Sequence, residues 1–182
     1  MYQLIQRGLQ KNEATLLVEQ IKQTPNITGY SFQEWMNFED ILVAENRKKQ
    51  LIGVCLYYQF SKQWTFISVL FVFNQFRGNG IGKALFYQAC QNINNNQKNI
   101  YIASRNPIII KMMKDLNFII FDSLITLPKP YKKNELIFAL RTLKWIINYY
   151  RIKEFVRKSI IYKEKNKFVY GIKPCQAYNN QN

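Results

Sequence analysis

Apolar positions along this chain follow two periods that succeed one another. Over Tyr2–Arg7 they alternate as in a short strand, whereas over Lys11–Lys22 the residues Ala14, Leu17, Val18 and Ile21 recur at helical spacing. Ser31, with Glu34 three residues on, is a capping-box start for a short helix ending at Phe38. Residues 41–45 and 51–60 flank the polar turn 46–50 and read as strands, followed by a third over 65–73 that is rich in β-branched and aromatic residues. A glycine-rich loop then leads into a helix from Gly80 to about Asn92. Residues 99–103 form a strand, Pro107 opens a helix to Leu116, and residues 118–124 return to strand.

The last third follows a linker, PKPYKK, at residues 128–133. The spacing predicts one helix from Glu135 to about Lys158. Phe138, Trp145, Tyr149, Ile152 and Val156 form one apolar stripe on it, and Leu136, Leu140, Leu143, Ile147 and Tyr150 form a second, roughly opposite. One stripe packs on the domain. The other calls for a cover: a second subunit, a substrate, a membrane surface, or the following strands 160–163 and 168–172, which turn at Lys165-Asn166. The expected fold class is α+β, a mixed and mostly antiparallel sheet flanked by helices, with a helical insertion before the final strand. All 182 residues fit one domain, with a core over 1–123 and a basic helix-plus-hairpin extension over 124–182.

Charge sharpens that division. Residues 1–123 carry 13 basic and 8 acidic residues, net +5, and residues 124–182 carry 13 and 3, net +10, together the +15 of the chain. Such a surface is either a solvated lysine-rich face or a site for an anionic partner. Three scattered cysteines, Cys55, Cys90 and Cys175, make neither a disulfide framework nor a zinc motif, and no metal site is expected. There is no histidine, which excludes an imidazole base and a Ser-His-Asp triad. No apolar run reaches the ~20 residues of a spanning helix and the N-terminus has no signal-peptide pattern, so a cytoplasmic protein without integral membrane association is expected.

The candidate chemistry lies in QFRGNGIGKALF, residues 75–86. A Walker loop needs Gly where Arg77 stands and Ser or Thr where Ala84 stands. A dinucleotide fingerprint needs G-x-G-x-x-G and an acidic residue ~20 positions on, but the spacing here is G-x-G-x-G and no Asp or Glu occurs between Glu45 and Asp115. What remains is an anion cradle suited to a diphosphate. Gly78, Gly80 and Gly82 admit close backbone approach, the helix N-terminus adds its dipole, and Arg77 and Lys83 add charge.

The loop also resembles the coenzyme A motif of the GCN5-related N-acetyltransferases, R/Q-x-x-G-x-G/A, which stands here as Arg77-Gly78-Asn79-Gly80-Ile81-Gly82. LFVFNQFRG upstream resembles that family's strand and bulge, and RNPIIIKMMKDLNF downstream resembles its second motif. The resemblance implies acetyl-CoA as cosubstrate, with its pyrophosphate on the backbone from Gly78 to Lys83, pantetheine along Leu70, Phe71 and Val72, and Asn106 on the pantetheine arm. It also implies a sheet that splays between its fourth and fifth strands, 65–73 and 99–103 here, with the thioester in the gap. Phosphate contacts from Lys98, Lys111 or Lys114 compete with the ordinary reading of a solvated lysine.

Acyl transfer to an amine needs a neutral nucleophile, oxyanion stabilisation and a proton for the departing thiolate. The tyrosine that many relatives use as acid stands here as Met113, and the fourth-strand carboxylate that many use as base stands as Ser68 or Val69. Substitutes are Ser104, Tyr101, Ser68 and Glu34, with Glu39 and Asp40 near the acceptor side. Two function classes follow. One is direct acetyl transfer from acetyl-CoA to a primary amine, relying on orientation and backbone stabilisation, with an anionic acceptor or carrier such as tRNA mildly favoured by the basic charge. The other is a non-catalytic acyl-CoA sensor or RNA-associated module that kept the cradle and lost the acid and base.

Overall fold

The computed structural model describes residues 2–123, 127–163 and 167–175. Seven strands form one sheet in the order β1-β2-β3-β4-β5-β7-β6. They are β1 (Tyr2–Arg7), β2 (Ile41–Asn46), β3 (Leu51–Ser61), β4 (Trp64–Val72), β5 (Asn99–Ser104), β6 (Ile119–Phe121) and β7 (Val169–Lys173). The helices are α1 (Lys11–Lys22), α2 (Phe32–Asn37), α3 (Ile81–Asn95), α4 (Pro107–Asp115), α5 (Glu135–Ile146) and α6 (Tyr149–Tyr162). β4 and β5 pair in parallel and every other neighbouring pair is antiparallel. The expected α+β class and the helices inserted before the final strand are therefore both present.

The central strands read as near-continuous apolar runs because both faces of the sheet are covered. On β2, Leu42 and Ala44 face α3 in a core with Cys55, Leu85, Phe86 and Ile102. Ile41 and Val43 face α1 and α2 in a second core with Leu17, Ile21, Trp35 and Phe71. The capping box predicted for α2 forms, with the Glu34 backbone N–H donating to Ser31 Oγ and the Ser31 N–H donating to the Glu34 carboxylate. α1 uses a second box, in which Gln10 N–H donates to Glu13 at 2.8 Å.

The last third departs from expectation in three ways. The single helix predicted over 135–158 is two, because Asn148 stops α5 and starts α6: its side chain accepts from the Arg151 N–H at 3.1 Å and donates to Glu34 at 3.0 Å. The strand predicted over 160–163 is the last turn of α6, which Tyr162 anchors by donating to the Gln23 carbonyl at 2.7 Å and Lys163 ends in a left-handed conformation. Its apolar run, Ile160-Ile161, is exposed. The PKPYKK linker winds into a 3₁₀ turn over Lys129–Asn134. The turn expected at Lys165-Asn166 and the end of the 118–124 strand at Leu124 lie outside the described residues.

The two stripes predicted on one long helix also separate. Phe138 of α5 is buried with Trp64, Phe66, Tyr101 and Ile172, whereas Leu136, Leu140 and Ile147 are exposed. On α6 the buried side is polar. Glu154 pairs with Arg157 at 2.7 Å, and Lys158 donates to the carbonyls of Ile21 and Ile27, capping the end of α1. Strand β7 enters between β5 and β6, so the C-terminal segment supplies β6 with its partner.

Arg7 ties the N-terminal elements together. Its guanidinium donates to Glu13 at 2.7 and 2.8 Å and to Glu45 at 2.7 Å, and both carboxylates are nearly buried. Burial opposes ionisation of Glu13, but the hydrogen bonds from Arg7 and from the Gln10 backbone outweigh it and hold the carboxyl below its ordinary value. A depressed carboxyl stabilises the fold above its unfolded pKa and loses that contribution as pH falls through the folded one. Glu13→Gln is therefore expected to cost about 1–3 kcal/mol at neutral pH and to lose less further stability on acidification from ~pH 6 to ~pH 3 than the wild type does. Urea denaturation at both pH values checks this, and parallel losses in the two proteins would refute it.

Candidate active site

Strand β4 carries the features that build the site. Its pairing with β3 shifts register between Leu56, opposite Val69, and Tyr57, opposite Ile67, which leaves Ser68 as an extra residue. Such a bulge bends the strand. On the other side, β4 pairs with β5 only from Trp64–Asn99 to Ile67–Ile102. Beyond Ile67, β4 continues with β3 alone, while Ala103 and Ser104 of β5 pair with β7. The two strands thus part at the bulge, opening the gap expected between the fourth and fifth strands.

At the end of β4, a 3₁₀ turn over Asn74–Phe76 delivers the chain to the glycine loop. Gly78 (φ 82°) and Gly80 (φ 74°) are left-handed, a conformation that only glycine adopts without strain. A Cβ at either position would meet nothing within 4 Å, so their concave side is open. Gly80 caps α3 and offers no side chain to the N–H groups of its first turn. Arg77 is exposed and donates to the Val72 carbonyl at 3.0 Å; Lys83 lies over the Tyr87 ring at 5.3 Å.

A groove of about 740 Å³ runs along these elements. Leu70, Phe71, Val72, Arg77, Gly78, Gly80, Ile81, Gly82, Lys83 and Asn106 all line it, together with Lys111. Asn79 does not line it: its amide donates to the carbonyls of Phe76 and Arg77 and braces the loop. Asn106 caps α4, accepting from the Ile108 N–H at 2.9 Å, while its own N–H donates to Ser104 Oγ at 3.1 Å. Lys98 donates to the Lys62 carbonyl instead.

A second cavity, of about 290 Å³, lies on the other side of the gap. The two share Asn26, Ile27, Leu70, Ser104 and Ile109, so they meet where β4 and β5 separate. Ser104 is nearly buried at that junction. Ser68, Tyr101 and Ser104 all line the second cavity. Glu34 lines neither: its carboxylate pairs with Arg151 at 2.6 Å and accepts from Asn148 and Ser31, tying α2 to α6. Glu39 and Asp40 line a separate surface hollow with Lys98.

Tyr30 enters the site without any warning from the sequence, where it is only the residue before the Ser31 cap. Its hydroxyl is 2.5 Å from Ser68 Oγ, and burial pushes its phenol far above the ordinary value, keeping it neutral. The Arg151 guanidinium lies over its ring at 4.4 Å. Tyr101 is fully buried between Phe66 and Tyr170, its hydroxyl has no hydrogen-bond partner among the described residues, and burial raises its pKa strongly as well. Both phenols can donate a hydrogen bond; neither ionises near neutral pH.

Residues 9–118, more than half of the chain, match the model of the acetyltransferase (GNAT) family. This chain is a GNAT-family protein. No curated protein matches it by sequence. By fold, this GNAT protein is similar to N-acetylglutamate synthase from Neisseria gonorrhoeae complexed with coenzyme A and N-acetyl-glutamate, at TM-score 0.64 and 12% identity, covering 97% of this chain and 36% of that one. It therefore spans little more than a third of the Neisseria enzyme. It is also similar to the ribosomal-protein-S18-alanine N-acetyltransferase from Escherichia coli (TM-score 0.61, 10% identity, 100% of this chain and 99% of that one). A third likeness is to Rv2747 from Mycobacterium tuberculosis in complex with CoA (TM-score 0.59, 11% identity, 91% and 97%). Acetyl-CoA is the cosubstrate typical of the GNAT family. No helix among the described residues is long and apolar enough to cross a membrane.

Within this GNAT fold, Met113, at the position where relatives place a tyrosine, is fully buried and lines neither cavity. Its methyl group fills the space a side chain at Gly171 of β7 would occupy. Restoring a tyrosine there overpacks the core instead of supplying an acid. Met113→Tyr is expected to cost about 1–3 kcal/mol, lowering the melting temperature by roughly 2–10 °C. Differential scanning calorimetry checks this, and an unchanged or raised melting temperature would show room for the ring.

Proposed function

We propose that this protein transfers the acetyl group of acetyl-CoA directly to a primary amine, without a covalent enzyme intermediate. The observation that carries the reading is the meeting of two cavities, one floored by a glycine cradle, at the point where β4 and β5 stop pairing. The fit to the donor rests on the open left-handed glycines and on the stretch Leu70–Val72, which lacks a strand partner on the β5 side. In this reading the N–H groups from Gly78 to Lys83, with the α3 dipole, hold a diphosphate, and Arg77 and Lys83 add screening charge. The free edge of β4 binds the amide-bearing arm and Asn106 borders it. Residues 124–182 work as part of the same domain, since β7 completes the sheet and α5 walls the acceptor side.

Acetyl-CoA supplies an acyl group already activated as a thioester. The residues of this chain orient it, exclude bulk water and handle protons. In this reading, backbone N–H groups of β4 beyond the bulge, where pairing with β5 has ended, oppose charge developing on a carbonyl oxygen. Ser68, hydrogen-bonded to Tyr30, and Ser104 at the junction are the hydroxyls positioned to pass a proton, with Tyr101 as a further neutral donor. The acceptor cavity has no carboxylate in its described lining, so the proton leaving the amine passes to water.

Calorimetric titration of acetyl-CoA into the full chain tests the donor site. Saturable binding is expected in the wild type, weakened at least tenfold in Gly80→Asp, whose carboxylate would face the cradle. Equal affinity would sink the cradle assignment. Thiol release from acetyl-CoA across an amine panel tests transfer, and binding with no release for any amine would reduce the protein to a CoA-binding module.

A further inference from the structure

The second cavity contains a cation that the chemistry above does not use. Arg141, on α5, lies with its guanidinium carbon 3.5 Å above the Phe66 ring and 5.1 Å from that of Tyr101. Phe66 and Tyr101 are opposed across the parallel β4–β5 pair, one step before the last pair at Ile67 and Ile102. The charge therefore sits over the fork where the sheet opens. Among the described residues, the buried Arg141 Nε finds no hydrogen-bond partner and Arg141 belongs to no ion pair. No Asp or Glu is present in the cavity's described lining. Arg151, the neighbouring cation on α6, is by contrast neutralised by Glu34.

A half-buried guanidinium with no anion beside it and a buried Nε–H left unsatisfied carries an uncompensated cost. Aromatic faces offset part of that cost but accept none of its N–H groups. The five donors of arginine match a carboxylate bidentately. The Tyr101 hydroxyl, buried without a partner on the same wall, is a second donor still to be satisfied. Trp145, Phe155, Phe168 and Tyr170 add further aromatic surface to the lining. At about 290 Å³ the cavity lies at the bottom of the ~300–1,000 Å³ range of small-molecule sites.

Resting on the acetyltransferase reading, we infer that the acceptor is a small amino acid-like amine, with a carboxylate bound by Arg141 and an aromatic or large apolar body against the aromatic walls. Because Phe66 precedes Ser68 by only two positions on β4, the bridge between carboxylate and reacting amine is short, a few bonds at most. The same cation repels polyamines. A peptide N-terminus, whose first carbonyl is an amide, leaves Arg141 unpaired and is rejected for that reason.

Titration of N-acetylphenylalanine and of its carboxamide into the full chain tests the pocket without acetyl-CoA and without turnover. The free acid is expected to bind at least tenfold more tightly than the amide. Arg141→Gln is expected to erase the difference and Arg141→Lys to keep part of it. Equal affinity for acid and amide, tighter binding of the amide, or no binding of either overturns the proposal in the wild type alone, whatever becomes of the variants. Acetyl-CoA titrated into the same preparation separates the two readings. Acid-selective binding without acetyl-CoA binding would sink the acetyltransferase reading and leave the carboxylate pocket standing; acetyl-CoA binding with no acid preference would sink the pocket alone.

Discussion

Two parallel strands that share hydrogen bonds over four residue pairs and then part set the layout of everything else. Hydrogen bonding between β4 and β5 ends at Ile67 and Ile102, and unpaired backbone edges inside a protein require another partner. β7 lies along the far edge of β5, pairing with it from Ile100 to Ser104, and so does not replace β4 on the edge that opens. On β4 the edge beyond the bulge is left for a ligand. The glycine cradle, the N-terminus of α3, the Asn106 cap and the two cavities are all placed relative to that fork. If Ser68 were paired as an ordinary strand residue, the alternation of β4 would run on unbroken and Val69 through Val72 would change faces, dismantling both walls together.

The N-terminal two thirds were legible because local and global preferences agree there. The capping box at Ser31, the proline opening α4 and the helical spacing in α1 predict their elements to within a residue or two, and each is buried as its pattern requires. The cradle was equally legible, since G-x-G-x-G imposes backbone conformations that few other sequences allow. The acceptor side was not. Tyr30 lies in a loop, and it reaches Ser68 only because α1 and α2 pack on the face of the sheet where the bulge occurs. Glu34 looked chemical from its position, but its carboxylate is consumed by capping and by Arg151, a pairing across more than a hundred residues that no local pattern reveals.

The C-terminal third was misread where a single period was extended too far. An unbroken 3.6-residue wheel over 135–158 ignores the ability of Asn148 to stop one helix and start the next. The break lets α5 lay Phe138 and Arg141 over the sheet while α6 turns its polar side, Glu154 and Lys158, toward the end of α1. The β-branched run at 160–161 has strand propensity, but the tertiary anchor at Tyr162 keeps it helical.

The placement of β7 also bears on how the chain becomes a protein. β6 pairs only with β7 among the described strands, and β7 is Val169–Lys173, separated from β6 in the sequence by α5 and α6. As translation proceeds, β1 to β4 can zip up as successive antiparallel neighbours, whereas β5 holds an open edge until α5, α6 and β7 have followed it out of the ribosome. The last of the described strands to be made is the one that closes the sheet, and Tyr170 brings with it part of the wall of the second cavity. A ribosome stalled anywhere in α5 or α6 therefore presents a nascent chain that carries its donor cradle but an unsealed sheet, the stage at which a chaperone has most to protect.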